Sequence, residues 1–477
     1  MLKLANNIHF DISSTIHTRG VLQRPTFSRM RRMALFCTAL ASAAILQPAP
    51  AMANGNGEVR LWNQRAAVTL TNPTTAGTPG AGFPPPSALI HIAIVQGAVY
   101  DAVNAIKGGH EPYLPGLKAP TSASKGAAAA TAAYHTLAGL IDQAPTLSAE
   151  VKFSIRTRLH DEYLSSLAGI PDGQAKEKGV EVGAAAAAAM LANRMGDGRF
   201  GPPGFPVGSA PGEWRPVPPT FLNDPGAWAR SVRPFTLPAP ETFHTSGPSA
   251  LTSDQYAAEF NEVKTLGRAT DSSRNSAQTQ LANWSAAHPV PMLYSAMRQV
   301  ADAKGLTISE QARFHAMTSM AAADSVINCF AEKAHWNFWR PTTAIQLADT
   351  DGNPATEVDP NWTSLLAVPP YSDEPSGANC VVSGAMHSAK AFFGSDSASF
   401  DIVSSGPAGT TGLGSTRSYT RFTDVVIDMI EARILSGLHF RRADVNGALL
   451  GRQVAEYVDA NFFNCGPPGQ CRQEGRE

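Results

Sequence analysis

Three short segments hold the residue types from which an anion site can be built. In the first, Lys333-Ala-His-Trp-Asn-Phe-Trp-Arg340-Pro341, the two cations stand seven residues apart, two turns of an α-helix, so both should project from one face. Pro341 disfavours helical geometry at the residue before it, which sets Arg340 at the helix end with its guanidinium fork free to turn into a pocket. Two like charges on one face are usually solvated, the competing reading, but Trp336, Phe338 and Trp339 suggest a shielded setting that favours an anionic partner. The second segment, Pro375-Ser376-Gly377-Ala378-Asn379-Cys380, lies between the breaker-rich PPYSDE and a helical run, where a hydroxyl and unpaired backbone N–H groups make an anion cradle. A plain Ser376 helix cap is the competing reading. In the third segment, Arg433 and His439 stand six residues apart, about 120° apart around a continuous helix. Gly437 between them suits a helix C′ position, and the turn it permits redirects His439 toward the site that Arg433 faces. Three cations, a hydroxyl, a glycine N–H and an imidazole together suit a tetrahedral oxyanion such as phosphate or vanadate.

The elements that must position these groups read as helices. Pro/Gly punctuation is concentrated at 71–86 and from Gly196 to Pro248, and helical patterning fills 87–106, 125–142, 174–194, 253–267, 276–303, 308–340, 378–393 and 418–460. Strand alternation is scarce, so a mostly α architecture with one long irregular connection is expected. Ala127 to Ala130 and Ala184 to Ala189 suit close helix packing within the chain, and the same faces would serve a homodimer. Trp214, Trp228 and the prolines between Arg215 and Pro248 read as a structural wrap, with a wall or lid over the site as the alternative.

Composition sets the outer limits. The chain has 477 residues, 43% of them hydrophobic and 16% charged, with a net charge of -1, which argues against a nucleic-acid binder relying on global positive charge. Arg29, Arg31 and Arg32 precede an apolar run from Met33 to Leu46 and the small-x-small triplet Ala51-Met52-Ala53, a signal-peptide pattern with cleavage after Ala53. The long polar stretch before it makes Met30 or Met33 an alternative translation start. The apolar run falls short of the ~20 residues of a membrane span, so an exported protein, periplasmic or secreted and without a membrane span, is expected, with a transmembrane anchor at 33–46 as the alternative. Cys465 and Cys471 flank Gly466-Pro467-Pro468-Gly469 and could close a small disulfide loop. The expected divisions are 1–53, a signal peptide with an N-terminal extension; 54–245, a helical half with the Pro/Gly-rich connection; 246–460, a catalytic helical half; and 461–477, a tail.

In this order the segments resemble the signature of the vanadium-dependent haloperoxidases and the related type 2 phosphatidic-acid-phosphatase-like acid phosphatases. The chain carries K-x6-RP at 333–341, P-S-G at 375–377 and R-x5-H at 433–439. The likeness extends to YDAVNAI at 100–106 and GLHF at 437–440. The resemblance implies an all-α fold of two packed four-helix-bundle-like units. It also implies a vanadate cofactor whose oxygens are neutralised by Lys333, Arg340 and Arg433 and hydrogen-bonded by Ser376 and the Gly377 backbone, with His439 as axial vanadium ligand. The substrates implied are hydrogen peroxide, a halide and a small organic acceptor. In the phosphatase branch, His439 would be the phosphorylated nucleophile. Two positions depart from the pattern. Ala432 replaces a serine, at the cost of one hydrogen bond. Ala378 replaces the motif histidine, an acid–base group worth ~10²–10⁴ in rate. The loss favours easily oxidised bromide or iodide over chloride, and it leaves a non-catalytic oxyanion binder as a third reading. His335 and His387 are the nearby imidazoles that could substitute, although their helical phases favour structural roles.

Overall fold

The computed structural model describes residues 57–404 and 412–466. Among them are thirteen α-helices: α1 (Glu58–Thr71), α2 (Pro85–Lys107), α3 (Lys125–Gln143), α4 (Ala149–Ala168), α5 (Gln174–Asn193), α6 (Asp254–Leu266), α7 (Ser276–Trp284), α8 (Pro289–Ala303), α9 (Ile308–Trp336), α10 (Pro341–Gln346), α11 (Gly377–Phe393), α12 (Phe422–Leu435) and α13 (Arg441–Asn461). One antiparallel hairpin, β1 (Ser397–Val403) with β2 (Thr416–Arg421), lies between α11 and α12. The expected signal segment and Cys471 lie outside the described residues.

Helices α2 and α9 form the spine. Almost every residue of α2 is buried, as its apolar run demands, and it packs against α3, α5 and α9. It is long and apolar enough to cross a bilayer, but here it is enclosed by the other helices. Ala127 to Ala130 of α3 are buried and meet α5, whose close approach runs through Gly179 and Gly183. Ala186 and Ala187 are buried but Ala185, Ala188 and Ala189 are exposed, so only part of the second alanine run packs as expected. A second group, α9, α11, α12 and α13, packs around the three motif segments. One apolar core joins both sides of the Pro/Gly-rich connection.

Several expected elements are corrected. The run at 276–303 breaks after Trp284 because Pro289 and Pro291 need a new helix start, where the His288 ring caps Val290 N–H. The run at 418–460 covers the end of β2, two helices and a turn. In β1 the residues Ala398, Phe400 and Ile402 face inward in strict alternation, a period-2 signal too short to stand out beside long helices. Helix α4 was not expected because it buries only a narrow stripe, Ile155, Leu159, Tyr163 and Ser166.

The long connection is a strap latched along α9. Asp324 accepts hydrogen bonds from the N–H groups of Phe235 and Thr236, both at 2.7 Å, and of Leu237 at 3.2 Å. One turn on, Asn328 exchanges hydrogen bonds with both backbone groups of Phe243, and a further turn on, Glu332 accepts from Thr245 N–H. Trp214 and Trp228 are buried within the strap's packing, the wrap role, whereas Leu222, Asp224 and Pro225 wall the cavity described below. Asp324→Ala would leave three buried N–H groups without acceptors. It is expected to cost at least about 3 kcal/mol in a urea unfolding experiment, and a change under about 1 kcal/mol would refute the latch.

Candidate oxyanion site

Lys333 and Arg340 meet, but not along one helical face. Helix α9 stops at Trp336, and Asn337 turns left-handed with φ 46°. Arg340 is the extended N-cap of α10, so the two cations approach from separate elements. Both are fully buried. Lys333 Nζ donates to the carbonyls of Ser372, at 2.7 Å, and Asp373, at 3.0 Å. Arg340 donates through Nε to the Tyr371 carbonyl and through Nη1 to that of Leu438, each at 2.7 Å. The Tyr371 ring lies 4.9 Å from both cationic groups.

Ser376 is the N-cap of α11, yet its side chain makes no capping bond. Its hydroxyl instead accepts from Asn379 Nδ2 at 3.1 Å, and the same amide donates to Asp444 of α13 at 2.7 Å. Close helix contact makes this possible. A Cβ at Gly451 would stand 2.2 Å from the Cys380 carbonyl, so only glycine lets α13 lie this near the start of α11. The first N–H groups of α11, Gly377 among them, have no intrahelical acceptor.

Gly437 acts as expected. With φ 77° it ends α12 in a paired turn, Leu438 N–H bonding the Arg433 carbonyl and Gly437 N–H that of Ile434. A Cβ there would also strike the Gly267 backbone at 2.4 Å. The turn brings His439 back over Arg340. Its Nδ1 is 2.9 Å from Asp373 Oδ1, and its Nε2 is 3.0 Å from Arg340 Nη1. A guanidinium can only donate, so Nε2 accepts and the ring proton sits on Nδ1, bonded to Asp373. Burial, reinforced by Arg340, Lys333 and Arg433, holds the imidazole well below its ordinary range, and the ring is neutral.

Donor groups remain over. Arg340 Nη2 and Arg433 Nε are buried and have no partner among the described residues, and Lys333 uses two of its three ammonium protons. Three buried cations with unspent donors beside a neutral imidazole are the chemistry that could hold a multiply charged oxyanion.

Residues 313–464 match the family of the VCPO second helical-bundle domain, a span that contains all three motif segments. No curated protein matches the chain by sequence. Among solved structures, the first bacterial vanadium-dependent iodoperoxidase is 22% identical with a TM-score of 0.69, over 86% of this chain and 97% of that one. Bacterial vanadium-dependent chloroperoxidase is 17% identical in two structures. The apo form has a TM-score of 0.62 over 82% of this chain and 95% of its own, and the holo form 0.61 over 83% and 95%. The chain has the vanadium haloperoxidase fold.

Within that fold, sequence reasoning missed four site residues. Asp373 orients His439, Tyr371 lies beside Lys333 and Arg340, and Asn379 with Asp444 holds Ser376. Their only signal was polarity inside strongly apolar or turn-rich surroundings. Ala378 lines a cavity of about 630 Å³ together with Tyr371, Gly377 and Arg433. Neither candidate imidazole reaches it. His335 is exposed, with its ring near Trp336 and His244, and His387 is bonded to Ser383 of its own helix.

The site's pH response follows from Lys333. Burial pushes its ammonium from 10.5 down to about 8; Arg340 adds to the fall, while Cys329, Asp373 and Cys380 oppose it. A bound anion favours the charged form. Affinity for inorganic phosphate, corrected for the anion's own ionisation, should therefore be flat below about pH 8 and fall up to about tenfold per unit above it. Calorimetric titration checks this. Lys333→Arg should remove the fall, and an equal fall in that variant would assign it to another group.

Proposed function

We propose that this chain is a vanadium-dependent haloperoxidase that oxidises bromide or iodide with hydrogen peroxide. The observation that carries the reading is the set of unspent donors on buried Arg340, Arg433 and Lys333, whose charges all act on a neutral His439 and the first of which touches its Nε2. These residues fit vanadate. Lys333, Arg340 and Arg433 would neutralise its oxygens, Ser376 and the Gly377 N–H would hydrogen-bond to it, and His439 Nε2 would ligate vanadium. Vanadate, when bound, supplies a Lewis-acid centre that makes peroxide electrophilic toward halide.

The protein's own contribution is electrostatic and orienting. Asp373 fixes the tautomer that leaves the Nε2 lone pair toward the site. Burial of the three cations strengthens their hold on developing negative charge. Ala378 places a methyl where a proton-transfer group would help, so bromide and iodide, which are more easily oxidised, fit better than chloride. The basic and apolar pattern at 29–53 supports export to the periplasm or beyond.

The same cradle suits a phosphoryl group, which supports a second reading, phosphomonoester hydrolysis through phospho-His439. Bromination of a phenolic or diketone dye with peroxide separates the two. Turnover that appears only with orthovanadate supports the haloperoxidase. Hydrolysis of a phosphate ester without vanadate or peroxide would move the assignment to the phosphatase, and vanadate binding without either activity to an oxyanion-binding role.

A further inference from the structure

The cavity beside the cradle is built for more than peroxide and halide. Its volume of about 630 Å³ falls in the range that encloses drug-sized ligands. Helices α2, α8, α9, α11 and α12 all contribute to its wall, and Met292, Leu293, Val326, Val381, Val382 and Ile402 make most of that wall apolar. Its polar lining is confined to Asp224, Ser285, Tyr371 and Arg433. Tyr371 and Arg433 belong to the cradle, so a molecule whose body fills the apolar part brings its head group to the oxyanion. Ala378 adds to the same effect, because a histidine there would occupy the junction.

We propose that this chamber binds the organic acceptor itself, a mainly hydrocarbon or aromatic molecule with one hydroxyl-bearing head directed at Arg433 and Tyr371. Halogen transfer then occurs inside the protein and not through released hypohalous acid. The balance is R–H, halide, hydrogen peroxide and one proton giving R–X and two waters; the halide loses two electrons and peroxide gains them. This inference rests on the haloperoxidase reading for the chemistry but not for the binding.

The test uses a bromonaphthol as probe and orthovanadate titrated separately. Crystals of the full chain soaked with the bromonaphthol should show a bromine anomalous peak between Met292, Val326 and Val382. In solution, Val382→Trp, which fills the chamber, should weaken bromonaphthol binding at least tenfold while leaving orthovanadate affinity unchanged. Bromine found only outside the chamber, or equal affinity in wild type and Val382→Trp, would overturn the proposal. Should Val382→Trp fail to fold, the wild-type soak decides alone. A bromine peak in the chamber of a protein that binds no vanadate would refute the haloperoxidase chemistry and keep the acceptor site.

Discussion

Ala378→His should raise the turnover of peroxide-dependent bromide oxidation by about 10²–10⁴, equivalent to about 3–5 kcal/mol of barrier. Position 378 lies in the first turn of α11, half-buried, with its side chain on the cavity beside Gly377 and Arg433. An imidazole there would stand where the chamber meets the proposed cradle, able to take and return a proton as the alanine methyl cannot. Ala378 lines a cavity of about 630 Å³, far more room than an imidazole fills. In the proposed cradle Lys333, Arg340 and Arg433 would hold the oxyanion independently of this position, so vanadate affinity should change little. The gain should appear in kcat under saturating peroxide, measured at several pH values, with a new ionisation in the profile. An unchanged rate with intact vanadate binding would mean that proton transfer does not limit this site.

The second large effect concerns binding. His439→Ala should abolish tight vanadate retention, and Arg340→Ala or Arg433→Ala should each weaken it at least about tenfold, or about 1.4 kcal/mol. Equilibrium dialysis against orthovanadate reads all three. A structural role predicts a different pattern. Arg433 is buried with an unpaired Nε, and burial lowers its guanidinium's proton affinity more than Tyr371 and Asp444 restore it, so removing the charge should not destabilise the anion-free protein. Arg433→Leu should therefore keep or raise the Tm without vanadate while losing the Tm gain that vanadate gives the wild type. A lower Tm in the anion-free variant would assign Arg433 to the framework.

How far this was readable from residues alone depends on the range of the interaction. Local rules served well. Alanine-rich and apolar periodicity gave α2, α3 and α5 nearly to their ends, and Gly437 marked the turn that carries His439 back. Where two local rules competed, the reading slipped. Seven-residue spacing placed Lys333 and Arg340 on one helix, but Asn337 in a left-handed conformation ends α9 first, and tertiary contacts bring Arg340 into place. Long-range pairing had no local mark. Asp373 and His439 are 66 residues apart, and nothing in either segment names the other. The strap on α9 was within reach, since Asp324, Asn328 and Glu332 form a polar i, i+4, i+8 row in a helix that is otherwise apolar on that face. The shape of the chamber emerges only when five helices are assembled.

A crystal structure of the full chain soaked in orthovanadate would decide the site. The prediction is vanadium within bonding distance of His439 Nε2, with oxygens on Lys333, Arg340 and Arg433 and on the Gly377 N–H, and with the Arg340 Nη1 contact to Nε2 displaced. Vanadium absent from this cradle at saturating concentration, or bound without His439, would contradict it.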